Sequence, residues 1–148
     1  MSVVAKLAEI REFAGGRVTV GLPDDVLERF EALDPSLGRA VDEAIEAHRA
    51  LRAELGELLA GHEKALADVA QADLANFYPA PNVNPYVSLA AAGPWLVTTH
   101  GAVLHDSGGY GMLGHGHGPQ EVIETMSRSW VMANVMTPSI SHLRFAKR

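Results

Sequence analysis

The sequence contains no cysteine. That excludes disulfides, iron–sulfur clusters, thiolate zinc sites and cysteine nucleophiles. Aromatic side chains make up only 6% of the chain, so aliphatic residues must build most of any core. Lysine is scarce: Lys6 and Lys64 lie on charged helical stretches and Lys147 stands beside the end. None of them reads as a buried amine with a depressed pKa. No run approaches the roughly 18 apolar residues that a membrane span requires, and no signal peptide opens the chain. Positive charge is in deficit, with 12 Lys/Arg against 18 Asp/Glu and a net charge of −6. This argues against a general phosphate-binding surface for DNA or RNA. Cytoplasm is the expected location, with neither membrane nor nucleic acid as a partner.

What remains is the size of one domain: 148 residues, 47% hydrophobic and 20% charged, an ordinary balance for a folded chain. The charge is unevenly placed. Residues 1–75 carry 15 acidic and 8 basic side chains, while seven of the 14 glycines fall between Gly101 and Gly118. An acidic, Ala/Leu-rich front therefore precedes a Gly-rich, weakly charged back. The acidity reads as a solvated helical surface.

Helical periodicity dominates the front. Val3, Leu7 and Ile10 form a short apolar face that Gly15-Gly16 stops, and Val18 with Val20 suggests a brief extended piece. Pro23, Asp24 and Asp25 suit a first helical turn, with Leu22, Val26, Phe30 and Leu33 at helical spacing. After Asp34-Pro35 the longest helix carries Leu37, Val41, Ile45, His48, Leu51, Leu55 and Leu58 up to Gly61. His48 reads there as a satisfied or half-buried core histidine. A further helix carries Leu66, Val69, Asp73 and Phe77.

Prolines then interrupt. Phe77 to Pro85 cannot continue a helix, because its prolines lack amide donors and restrict their predecessors. Trp95-Leu96-Val97 and Val103-Leu104 read as short strands around a turn at Thr99-His100-Gly101. A Gly-rich loop spans Ser107 to Gly118. Pro119 to Met132 is predicted helical, with Val122, Met126 and Trp130 on its apolar side, and Thr137-Pro138-Ser139 begins another helix. The expected fold class is α+β: a helical region over 1–76, a Pro/Asn-rich arm over 77–92, then a small antiparallel hairpin or meander and helices over 93–148.

Three constellations carry candidate chemistry. His100, His105, His115 and His117, with Asp106, offer imidazole and carboxylate ligands for a hydrolytic metal centre. Their spacing matches no His-Glu-x-x-His helix, so no metal ligand is assigned. Gly109-x-Gly111-x-x-Gly114 has the spacing of a dinucleotide fingerprint, yet His-Gly-His-Gly-Pro follows it instead of an opening helix. Serines and histidines are present without a Gly-x-Ser-x-Gly elbow. No catalytic residue is assigned.

The order of features says more. Gly93-Pro94-Trp95-Leu96-Val97, the turn at Gly101, Val103-Leu104-His105-Asp106, the Gly-rich loop, then Leu113-Gly114-His115-Gly116-His117 and a helix with Glu121-Val122-Ile123-Glu124 form one series. It resembles the amino-terminal segment of class III aminotransferases, pyridoxal-phosphate enzymes of fold type I. Asp106 matches a strand-ending Asp, and Leu113 to His117 match a Leu-Gly-His-x-His motif. Thr98 stands where the family's turn has Asp, and Gly118-Pro119 replaces a single proline. The resemblance covers residues 84–148 and leaves the helical front outside it.

The resemblance implies the beginning of a larger, truncated fold type I enzyme. Such an enzyme moves an amino group from an amino-acid or amine donor to a 2-oxo acid and is a homodimer at full length. The family's phosphate loop, its pyridine-nitrogen Asp and its Schiff-base lysine have no counterpart here, so no cofactor-binding residue is assigned and the segment alone is expected to be inactive. It also implies that the loop between Asp106 and Gly114 lies near the substrate entrance, with Tyr110, Gly109 and Met112 as substrate-binding residues. Two rival readings stand beside it: a helical interaction module whose Gly-rich loop is structural, and a small His/Asp metal-dependent hydrolase.

Overall fold

The computed structural model describes residues 1–72, 74, 84–107, 114–128 and 147. They fall into two compact units, Met1–His117 and Gly118–Arg148. The first is mixed, with four helices and a small antiparallel sheet, so the α+β class holds.

Helix α1, Val3–Phe13, begins where the Ser2 hydroxyl accepts a hydrogen bond from the Ala5 amide, as an N-cap does. Val3, Leu7 and Ile10 are buried, the face that the spacing predicts. Helix α2, Asp24–Glu31, follows Pro23 and places Asp24 and Asp25 against its positive end. Its face differs from expectation. Leu27 is the buried side chain, while Phe30 is 37% and Leu33 75% exposed. Helix α3, Pro35–Ala60, is capped by Asp34, whose carboxylate accepts from the Ser36 amide at 2.9 Å. Leu37, Val41, Ile45 and His48 are buried, together with Ala40 and Ala44. The stripe then drifts off the core, and Leu55 interrupts the helix with φ −118° and ψ 19°. Helix α4, Glu63–Gln71, buries Leu66 and Ala67 but exposes Val69. Asp73 and Phe77, expected on the same helix, lie outside the described residues.

The stretch expected as an arm over 77–92 ends in a strand. β1, Ser88–Ala92, pairs antiparallel with β2, Trp95–Thr98, and β2 pairs antiparallel with β3, Val103–His105. Ser-Leu-Ala-Ala-Ala has neither β-branched residues nor alternation, so local propensity reads against a strand there. Pairing with β2 and packing on α3 supply what propensity does not. β2 and β3 occupy the two predicted strands in the register Trp95↔His105, Leu96↔Leu104 and Val97↔Val103. Val18–Val20 joins no strand; the amides of Val18 and Thr19 both donate to the Glu63 carboxylate at 2.7 Å.

One core serves helices and sheet together. Val3, Leu7, Ile10, Leu27, Leu37, Val41 and Ile45 form a single cluster with Ala92, Trp95, Val97 and Val103. The hairpin is thus built on the helical front and shares its hydrophobic stabilisation. In the second unit α5, Gln120–Met126, starts after Pro119 with Glu121 in its first turn. Trp130 and the helix expected from Thr137 lie outside the described residues. Among the described residues no helix is long and apolar enough to cross a membrane.

Candidate functional site

The sheet delivers its chemistry at the end of β3. His105 lies opposite Trp95 in the register, and its ring meets the indole edge to face at 5.0 Å. The Asp106 amide donates to the Pro94 carbonyl at 2.7 Å, which anchors the residue that leaves the strand. Eleven positions later His117 returns to the β1–β2 turn. The Gly93 amide donates to the His117 carbonyl at 2.9 Å, and the His117 amide donates back to Gly93 at 2.7 Å. This pairing brings the side chains together: His117 Nε2 lies 2.9 Å from Asp106 Oδ2. A carboxylate only accepts, so Nε2 carries the proton and the pair fixes the orientation of the ring.

Around this pair is an open cavity of about 460 Å³. His105, Asp106, Ser107, His115 and His117 line it, with the backbone of the glycines at 93, 114 and 116. The glycines are required by geometry. Gly116 has φ +72°, and a Cβ there would come within 2.8 Å of the Gly93 carbonyl oxygen. Gly116→Ala is therefore expected to lower stability by about 1–3 kcal/mol, the cost of a strained left-handed residue. It should also disrupt the Gly93–His117 pairing, seen as lost protection of the His117 amide in hydrogen exchange. An unchanged amide would mean that the bridge tolerates the added methyl.

A second hydrogen-bond relay supports the turn from below. Trp95 Nε1 donates to Asp34 Oδ2 at 2.8 Å, while Asp34 Oδ1 takes the Ser36 hydroxyl at 2.6 Å and the Ser36 amide at 2.9 Å. The Ser36 hydroxyl, with the indole and the Ser36 amide, holds the Asp34 carboxyl below its ordinary range against the opposing effect of burial. Asp34 thus caps α3 and also pins the tryptophan that carries the site.

Of the histidines grouped in the sequence, three line this cavity and one does not. His100 is buried in the β2–β3 turn, where Nε2 donates to the Gly61 carbonyl at 3.0 Å and Nδ1 faces the Thr99 hydroxyl at 3.1 Å. Among the described residues no three metal-ligating side chains come together, so the hydrolase reading finds no ligand set there. Tyr110, Gly109 and Met112 lie outside the described residues; the chain on either side of their loop, at Ser107 and Gly114, borders the cavity. Lys6 pairs with Asp42 and Lys64 with Asp68, and Lys147 is exposed. Among the described residues of the first unit, neither Lys6 nor Lys64 lines the cavity.

The sequence reading found Asp106 and His117 separately but not their union. It missed Gly93 as the second partner of His117, and Asp34 as the anchor of Trp95. A Gly-Pro pair between two strands was the available signal for the turn. Compared with protein-family models, with curated proteins and with solved structures, the chain finds no match.

Proposed function

We propose that this chain is the amino-terminal part of a pyridoxal-phosphate-dependent, class III-like aminotransferase of fold type I, inactive by itself. The full-length enzyme would be a cytoplasmic homodimer that transfers an amino group from an amino-acid or amine donor to a 2-oxo acid. The observation that carries this reading is the order of features from Gly93 to His117. Within it two of the residues matched to the family motifs, Asp106 and His117, lie 2.9 Å apart. In this reading Asp106 and His117 are positioning residues. They hold the end of β3 and the return of the loop to one turn, and so shape the rim on which Tyr110 would meet substrate.

Pyridoxal phosphate supplies an electron sink once it is bound as an imine to a lysine. The residues described here do not fit that group. Lys6 and Lys64 are ion-paired on the helices, and neither approaches the Asp106–His117 cavity. The Schiff-base lysine and the phosphate loop would come from sequence outside these 148 residues. No step of transamination is assigned to this chain.

The test is chemical. After incubation with pyridoxal phosphate and reduction with borohydride, peptide mapping is expected to show only scattered, substoichiometric labelling. One stoichiometric adduct at Lys6, Lys64 or Lys147 would overturn the assignment of an inactive part. The class itself is tested by the reading frame beyond codon 148, which should reach a Ser-Gly-x-Glu-Ala-Asn-like loop and a later lysine. In that full-length protein Tyr110→Phe should change kcat/KM among amino donors by about 0.5–1.5 kcal/mol, one hydrogen bond's worth, with thermal stability nearly constant. Lost stability with fixed donor preference would make Tyr110 a packing residue.

A further inference from the structure

His48 of α3 packs against Phe13 of α1, lies within electrostatic reach of His100 in the β2–β3 turn, and has no exposed surface. Arg52, one turn further along α3, donates from Nε to His48 Nδ1 at 3.2 Å. Guanidinium has donors only, so Nδ1 must be the lone-pair nitrogen and the ring must be neutral, with its proton on Nε2. That Nε2 is buried without a hydrogen-bond partner. Phe13 of α1 meets the imidazole edge to face at 5.4 Å, and the Arg52 guanidinium lies 4.4 Å over the same phenyl ring.

Arg52 is held from α1 as well. Its NH2 group donates to Glu9 Oε1 at 3.3 Å and to the Glu9 carbonyl at 3.4 Å, while Arg49 grips both oxygens of the same carboxylate. The charged and titratable groups acting on His48 are Arg52 from its own helix, Glu9 from α1 and His100 from the hairpin turn. Arg52 and His100 oppose a proton; Glu9 favours one but is committed to the two arginines.

We propose that His48 is an acid-sensing latch: a proton delivered to Nδ1 displaces Arg52 and releases α1 and the β2–β3 turn from α3. The proton comes from solvent and lands on the nitrogen that Arg52 now occupies. Imidazolium and guanidinium then face one another in a site that offers imidazolium no acceptor, and the least costly relief is separation of the packed elements. Burial first, then Arg52, already holds the His48 pKa below the ordinary 6.5. Because the folded form binds this proton less readily than the opened form, the contribution of His48 to stability is complete above pH 6.5. It is lost progressively as pH falls below that value toward the folded-state pKa. This inference is independent of the aminotransferase reading, since no residue of the Asp106–His117 site takes part.

The experiment is hydrogen exchange of the full 148-residue chain between pH 8 and pH 5, corrected for the intrinsic rates, beside imidazole NMR titration. Wild type should lose protection in α1 and at residues 98–103 as pH falls below 6.5, and His48 should titrate below 6.5. His48→Gln keeps a polar planar side chain that cannot be protonated, and it should remove this loss. Should His48→Gln fail to fold, Arg52→Met serves instead: it leaves His48 in place, should move its titration up toward 6.5, and should shrink the loss of protection. Equal losses in wild type and variant, or His48 titrating at 6.5 or above in wild type, would overturn the latch.

Discussion

Trp95→Ala should lower the free energy of unfolding by about 3–5 kcal/mol, the range for truncating a large buried aromatic. Trp95 is 1% exposed and is a member of the one core that joins helices and sheet. Its ring meets Phe30 of α2 at 5.3 Å and His105 of β3 at 5.0 Å, so its removal leaves a void between α2 and β3. Part of the loss is polar, because Asp34 forfeits the indole donor it now holds at 2.8 Å. Trp95→Phe separates the two contributions. It keeps most of the packing and removes the hydrogen bond to a charged group, which by itself is worth about 1.5–3 kcal/mol. Chemical unfolding followed by circular dichroism measures both variants. A loss below about 1 kcal/mol for the alanine variant would mean that the core closes over the void more fully than buried aromatic sites do.

Glu63→Ala is expected to cost about 1.5–3 kcal/mol, the worth of a hydrogen bond to a charged group, because two part-buried amides lose their acceptor at once while solvent can reach them in part. Glu63 has no exposed surface, and Oε2 accepts from Val18 and Thr19, both at 2.7 Å. Its backbone amide donates to the Gly16 carbonyl at 2.8 Å, so the start of α4 is tied to the segment after α1 by main chain and side chain together. Position matters as well. Glu63 opens α4, where a carboxylate is favoured by the positive end of the helix. Glu63→Gln retains an acceptor oxygen and should lose clearly less than Glu63→Ala in thermal unfolding. Equal losses would show that the shape of the side chain matters and its acceptor does not.

These two positions differ in how far they were legible beforehand. Trp95 was read as a strand residue, but nothing in Gly-Pro-Trp-Leu-Val says that its nitrogen will find Asp34, 61 residues earlier. Glu63 looked like one more solvated acid in a front half rich in them, and only burial separates it from Glu54 or Glu57. The Asp106–His117 pair shows the same limit at the candidate site. Each residue stood out in the sequence, yet their contact is made by the return of the chain to Gly93, a partner 24 positions before His117.

The sequence by itself determined what depends on neighbours along the chain. Helical spacing placed Val3, Leu7 and Ile10, and the run from Leu37 to His48, on buried faces, because a helix repeats every 3.6 residues whatever it packs against. Asp34-Pro35 and Gly61 bounded the long helix by capping and breaking chemistry, and β2 and β3 were set by short apolar runs flanking a glycine turn. Tertiary structure alone decided the rest. An alanine-rich segment became β1 because β2 offered it a ladder and α3 a surface; α2 turned Leu27 inward in place of Leu33; burial, and then Arg52, made His48 a neutral, proton-averse core residue. The physical reason is one of range. Periodicity, caps and turns are written into adjacent residues, whereas burial of a polar group and the identity of its partner depend on chain segments that meet only when the core forms.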